Sequence, residues 1–128
     1  MTNKNQKIML IEDEKDLADV FALKFRSEGL EPIIINDGAA ALAAIIREKP
    51  ALVLLDLMIP EVDGFSILAS INKEKINPKP LIYVWSNLTQ KKDMDLVGKM
   101  NINGYLIKSD YTPSALAKKI KDILAKKS

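Results

Sequence analysis

The stretch Ala51-Leu52-Val53-Leu54-Leu55-Asp56-Leu57-Met58-Ile59-Pro60-Glu61-Val62-Asp63-Gly64 decides how the rest of the chain is read. Its first five residues are apolar without interruption, and the turn-forming stretch Pro60 to Gly64 follows shortly after. So short and continuous an apolar run predicts a strand over 51–56, buried in a parallel sheet. An ionised carboxylate is costly to bury without partners. At the carboxyl end of such a strand, Asp56 would instead face the crevice in which open α/β sheets hold their ligands.

Three other strand-like segments end in the same manner. Lys7-Ile8-Met9-Leu10-Ile11 runs into Glu12-Asp13, Leu81-Ile82-Tyr83-Val84-Trp85 into Ser86, and Tyr105-Leu106-Ile107 into Lys108. Three carboxylates, a hydroxyl and an ammonium therefore fall at comparable strand ends. That arrangement suits a divalent cation together with a phosphoryl group.

Outward from these segments, strand and helix signals alternate five times. After the first strand, 7–11, Asp13 or Glu14 can begin a helix whose Leu17, Val20, Phe21 and Phe25 recur at helical spacing, with Gly29 as its stop. Pro32-Ile33-Ile34-Ile35 predicts the second strand, proline being acceptable at a strand start. Asp37 can cap an alanine-rich helix over 38–48, which Pro50 blocks. Strand 51–56 leads through loop 57–63 to Gly64 and a helix over 65–75, with Phe65, Leu68 and Ile71 on one face. Asn77-Pro78-Lys79-Pro80 is a loop. Strand 81–85 precedes a helix from a Thr89 cap to about 100, with Met94, Val97 and Met100 as a thin apolar stripe. Residues 103–107 are the fifth strand. Thr112-Pro113 opens a last helix, to about 126, burying Leu116, Ile120, Ile123 and Leu124. The fold class predicted is α/β: three layers, a five-stranded parallel sheet with helices on both faces, and right-handed crossovers.

A chain of 128 residues is expected to be one domain, with enough buried surface for a core without staples. Its net charge of +2 is too small to imply nucleic acid. Lys118, Lys119, Lys121, Lys126 and Lys127 read as the solvated face of the last helix and suit its C-terminal dipole. The chain has no cysteine and no histidine. Disulfides, thiolate sites and imidazole chemistry are thus excluded, and oxygen-only ligation points to Mg²⁺, Mn²⁺ or Ca²⁺ rather than zinc. The polar first six residues do not resemble a signal peptide, and no apolar run nears the roughly 20 residues that span a bilayer. A cytoplasmic protein without membrane contact is the expectation.

In chain order, Glu12-Asp13, Asp56, Ser86 and Lys108 resemble the signature positions of the response-regulator receiver domain. The flanks agree: Asp56-Leu57-Met58-Ile59-Pro60 followed by Gly64 resembles the family's phosphoacceptor loop, and Gly104-Tyr105-Leu106-Ile107-Lys108 its fifth strand. The resemblance runs from about residue 6 to 126 of a single receiver domain, 1–128. Each motif alone is unspecific; the correctly spaced set is highly specific. It implies a flavodoxin-like strand order 2-1-3-4-5 and a stand-alone, CheY-like receiver in two-component signalling, which works by docking to another protein.

The resemblance also implies roles. Asp56 would be the phosphoacceptor, taking its phosphoryl group from a phosphohistidine on a sensor histidine kinase or phosphotransfer protein. A carboxylate is a weak nucleophile, so the phosphoryl oxygens must be neutralised. Asp13 and Asp56 would bind Mg²⁺ (or Mn²⁺) directly, Glu12 through a water, and Met58 through its backbone carbonyl. Ser86 would donate its hydroxyl to a phosphoryl oxygen, and Lys108 would pair first with the acceptor carboxylate and then with the phosphoryl group. Ser86 and Tyr105 would form the switch to the surface of the fourth helix, fifth strand and fifth helix (α4-β5-α5), decorated by Lys91, Lys92, Lys99 and Lys118, where a downstream protein docks. Such a domain is not an enzyme in the ordinary sense, and direct DNA binding is not expected. Each residue also has a plain structural reading: a loop aspartate at 56, a helix cap at Asp13 and Glu14, a turn serine at 86, a surface lysine at 108 and a half-buried strand tyrosine at 105.

Two residues depart from the family pattern. Ser109 stands where proline usually follows the lysine in a cis bond, so either a strained cis bond or a different loop is expected. Asn87 stands where a small residue is typical, and its side chain is expected to crowd access to the phosphoryl group. Met58 and Leu88 are apolar at the positions flanking an attacking water, which predicts slow self-dephosphorylation. Rival readings are weaker. A Mg²⁺-dependent phosphatase with an aspartate nucleophile needs a second acid where Met58 stands. A flavodoxin-like cofactor carrier needs a phosphate loop where Glu12-Asp13-Glu14 would repel an anion. A degenerate receiver acting only as a docking module is the remaining alternative.

Overall fold

Strands form where the apolar runs stood. The computed structural model describes residues 5–58, 64–87 and 90–127. Lys7–Ile11 (β1), Glu31–Ile35 (β2), Leu52–Leu55 (β3), Leu81–Ser86 (β4) and Gly104–Ile107 (β5) make one parallel sheet in the order 2-1-3-4-5. The central strands are apolar on both sides because both sides are covered: Ile8 to Ile11 and Leu52 to Leu55 are all fully buried.

The helices are Lys15–Ser27 (α1), Ala41–Glu48 (α2), Gly64–Lys73 (α3), Lys91–Gly98 (α4) and Pro113–Lys127 (α5). On one face α1 and α5 bury Ala18, Phe21, Phe25, Leu116 and Ile120 against Ile8, Leu10, Leu52, Leu54 and Trp85. On the other, α2, α3 and α4 bury Ala44, Ile45, Leu68, Ile71 and Val97 against Met9, Ile11, Val53, Leu55 and Val84. The strand period of two divides each run between the layers. The result is the three-layer, flavodoxin-like doubly wound architecture. None of its described helices is long and apolar enough to cross a membrane.

Local boundaries differ from expectation where backbone chemistry intervenes. β2 begins at Glu31, not Pro32, because the Glu31 N–H donates to the Gln6 carbonyl at 2.9 Å. Asp37 Oδ1 accepts the Ala39 N–H at 3.0 Å, but the first turn it caps, 38–40, is a 3-10 turn, and α2 starts only at Ala41. α1 stops as predicted at Gly29, whose φ of 84° suits a residue without a Cβ. α3 starts at Gly64 and ends two residues early, at Lys73. β5 begins at Gly104 rather than 103. Thr112 Oγ1 accepts the Ala115 N–H at 3.1 Å, with Pro113 as the first residue of α5. The Thr89 cap, Leu88 and the loop 59–63 lie outside the described residues.

Gly64 is needed for close approach. A Cβ there would sit 2.5 Å from Leu57 Cα and 3.0 Å from the Leu57 carbonyl oxygen, both backbone atoms next to Asp56. Gly64→Ala is therefore expected to lower stability by about 1–3 kcal/mol. Denaturant unfolding measures this, and an unchanged midpoint would mean that the Leu57 backbone yields freely.

Candidate functional site

The site lies where the chain reverses its course across the sheet, between the carboxyl ends of β1 and β3. Each strand carries one more residue into the ladder before the backbone leaves it. The Glu12 N–H donates to the Ile35 carbonyl at 3.0 Å, and the Asp56 N–H to the Ile11 carbonyl at 3.2 Å. Both acids are thereby fixed at the sheet's rim. Glu12 is fully buried, Asp56 is only 4% exposed, and Asp13 is the most open of the three. One carboxylate oxygen from each of Glu12, Asp13 and Asp56 lies within 4.8 Å of the others.

Lys108, at the end of β5, makes this charge density tolerable. Its ammonium donates to Asp56 Oδ2 at 2.7 Å and to Glu12 Oε1 in a still shorter contact. The remaining oxygens are also held: Asp56 Oδ1 accepts the Met58 N–H at 2.9 Å, and Glu12 Oε2 the Glu14 N–H at 3.0 Å. Burial pushes the Glu12 carboxyl above its ordinary value, against the opposing pull of Lys108 and the Glu14 N–H. Burial works against the Lys108 ammonium too, but the Asp56 and Glu12 carboxylates outweigh it and hold Lys108 above its usual value.

Ser86 closes β4, the strand between β3 and β5, and is fully buried. Its side chain hydrogen-bonds Tyr105, which is half-buried against the α2–α3–α4 layer. Burial raises the Tyr105 hydroxyl's pKa, the Ser86 bond opposes this, and the charge of Asp56 adds to the rise. Lys91, Lys92, Lys99 and Lys118 are all exposed. Met58 is 60% exposed beside the acids.

Several expectations need correction. Asp13 and Glu14 do not cap α1 with their side chains; Glu12 instead accepts the N–H of Glu14, the residue at the N-cap position. Asn87 does not stand free to crowd the site, because its Oδ1 accepts the Ser109 N–H at 2.9 Å. Ser109 takes the different loop rather than the strained bond. Asn77–Pro78 is the one cis peptide among the described residues, and Lys108 to Asp110 form a 3-10 turn. Sequence reasoning missed Asn36, whose Nδ2 donates to the Glu12 carbonyl at 2.9 Å. It also missed that Trp85 points into the α1/α5 layer, away from Ser86, while Lys108 Nζ lies 4.8 Å from its ring centroid. Strand alternation between Trp85 and Ser86 was the available signal for the second; no sequence signal marks Asn36.

The family model of the response regulator receiver domain matches residues 8–121, and the chain belongs to that family. Similar curated proteins include the DNA-binding response regulator MtrA of Mycobacterium tuberculosis, 28% identical over 121 residues, covering 94% of this chain and 51% of that protein. The regulatory protein VanRc of Enterococcus gallinarum is 36% identical over 74 residues, 58% of this chain and 32% of that protein. The chain spans about half the length of MtrA and a third of VanRc. Among solved structures, the BeF3-activated N-terminal receiver domain of Klebsiella pneumoniae RstA superposes with a TM-score of 0.80 at 25% identity, covering 92% of this chain and 97% of that one. A CheY-like receiver domain protein from Methanospirillum hungatei gives 0.82 at 22% identity, covering 94% of both chains.

Proposed function

We propose that Asp56 is the phosphoacceptor of a two-component phosphorelay, loaded from a phosphohistidine on a sensor histidine kinase or phosphotransfer protein. The observation that carries this is the clustering of Glu12, Asp13 and Asp56, with the Lys108 ammonium paired to Glu12 and Asp56. In the transfer, an Asp56 oxygen forms a bond to phosphorus as the bond from phosphorus to the imidazole nitrogen breaks, the electron pair staying on that nitrogen. Lys108, already on Asp56, is within reach of the incoming phosphoryl oxygens, and the Ser86 hydroxyl is the donor from the neighbouring strand.

An all-oxygen set of three acids fits Mg²⁺ or Mn²⁺. Asp13 and Asp56 would hold the ion directly. Glu12, fully buried behind the more open Asp13, would act through a water, and Met58 would add its carbonyl. When bound, the ion neutralises charge on the phosphoryl oxygens. Phosphorylation would draw Ser86 away from Tyr105, releasing the ring and altering the α4-β5-α5 surface that a target protein reads. The exposed Met58 offers no acid or base to an attacking water, which supports a long-lived acyl phosphate and argues against a phosphatase.

The test is incubation with acetyl phosphate, with and without Mg²⁺, followed by intact mass. A gain of one phosphoryl group that requires Mg²⁺ is expected; no gain under any condition would leave a docking module instead. Asp13→Ala should keep the fold, since Asp13 is the most open acid, yet weaken Mg²⁺ by at least the ~10-fold that losing even an outer-shell partner costs. Mg²⁺ titration followed by Trp85 emission measures this, and an unaltered titration would remove Asp13 from the ligand set.

A further inference from the structure

Asn87 and Ser109 lie 22 positions apart in sequence, yet Asn87 Oδ1 accepts the Ser109 backbone N–H at 2.9 Å. We propose that this bond makes Asn87 a positioning residue for Lys108, fixing from β4 where the lysine's ammonium reaches. The pairing of β4 with β5 runs out at Ser86 opposite Ile107. The next residues on the two strands are Asn87 and Lys108, and the Asn87 side chain carries the lateral tie one step beyond the ladder.

That step matters because of what Lys108 must do. Its long, flexible stem carries much rotamer entropy, and its ammonium serves three contacts at once: Glu12, Asp56 and the Trp85 ring. Lys108 also begins the 3-10 turn closed by the Tyr111 N–H on the Lys108 carbonyl at 3.1 Å. Beyond the ladder pair Ser86–Ile107, the Asn87 bond adds a tie between the residue after β4 and the backbone of this turn. If the turn shifts, the ammonium is displaced relative to both carboxylates. Misplacement of a catalytic group by a fraction of an ångström is enough to slow a reaction that depends on positioning.

Where it concerns phosphoryl transfer, this inference rests on the function proposed above; where it concerns the placement of Lys108, it does not. Two readouts separate them. Trp85 emission in the unphosphorylated protein reports the ammonium over its ring. Uptake from acetyl phosphate reports the chemistry. Asn87→Ala is expected to change Trp85 emission and to slow uptake by roughly three- to tenfold, as the loss of one hydrogen bond would. Asn87→Asp keeps the accepting oxygen and should keep Trp85 emission close to the parent, while its added negative charge slows uptake of the anionic donor. In a Lys108→Met background, Asn87→Ala should leave Trp85 emission unaltered. The proposal is overturned if Asn87→Ala changes neither readout, or if it shifts Trp85 emission equally with and without Lys108. Should Lys108→Met not fold, the comparison of Asn87→Ala with Asn87→Asp in Trp85 emission decides. If the parent protein takes up no phosphoryl group, the phosphoacceptor reading fails and the Trp85 readout alone decides the role of Asn87.

Discussion

Lys108→Met is expected to destabilise the protein by about 3 kcal/mol at neutral pH, the scale observed when one partner of a buried ion pair is removed. The lysine side chain is 13% exposed and those of Glu12 and Asp56 are 1% and 6% exposed, so little solvent is at hand to replace it. Two carboxylates would then face each other with no cation between them. The pH dependence follows from the shifts already in place. Glu12 sits above 4.5 in the folded chain even with Lys108 beside it, and losing the lysine pushes it higher. The folded variant therefore binds a proton on Glu12 more tightly than the unfolded chain does. Its deficit should be complete above the folded Glu12 value and should shrink as pH falls toward 4.5. At the other end, Lys108 is held above 10.5. Its contribution to the parent is full below 10.5 and is lost as pH climbs through the folded value. The gap between parent and variant is thus widest between these limits. Denaturant midpoints across pH measure it, and equal midpoints at neutral pH would refute the account. Adding Glu12→Gln to Lys108→Met should restore much of the loss, because no unpaired buried charge then remains at position 12.

Asp56→Asn should abolish phosphoryl uptake from acetyl phosphate, to below detection by intact mass. Asparagine has the same shape, and its carbonyl oxygen can still accept the Met58 N–H that Asp56 Oδ1 accepts at 2.9 Å. What it lacks is the anionic oxygen that forms the bond to phosphorus. Lys108 would retain Glu12 as a partner, so the fold should survive and the comparison should be clean. A variant that gained the same mass as the parent would place the modification on another residue.

The fold was legible because its evidence is periodic. The unbroken apolar runs at β1 and β3 are too short for buried helices and read as strands covered on both faces, and the helices between them repeat their buried residues at helical spacing. The acidic cluster was legible for a related reason: strand ends are fixed by the runs themselves, and parallel strands deliver their carboxyl ends to one rim. Identifying that rim with a receiver domain took the resemblance, not periodicity. What escaped was the detail set by side-chain reach. Nothing in the sequence says that Lys108 spans to Glu12 as well as Asp56, that Trp85 lies beneath the lysine, or that Asn87 finds the Ser109 N–H. The last is instructive, since the two residues that depart from the family pattern bond to each other. A proline at 109 would have no N–H to give, so the amide at 87 has its backbone partner across the loop because a residue other than proline stands there.

Pro32 has a consequence of its own. β2 forms one margin of the sheet, and its Glu31 N–H turns inward to Gln6. By the two-residue period of a strand, the nitrogen of residue 32 turns outward, and in proline it has no hydrogen to offer. An extended segment from a neighbouring chain would meet a missing donor near the start of that margin, which discourages sheet-to-sheet accretion.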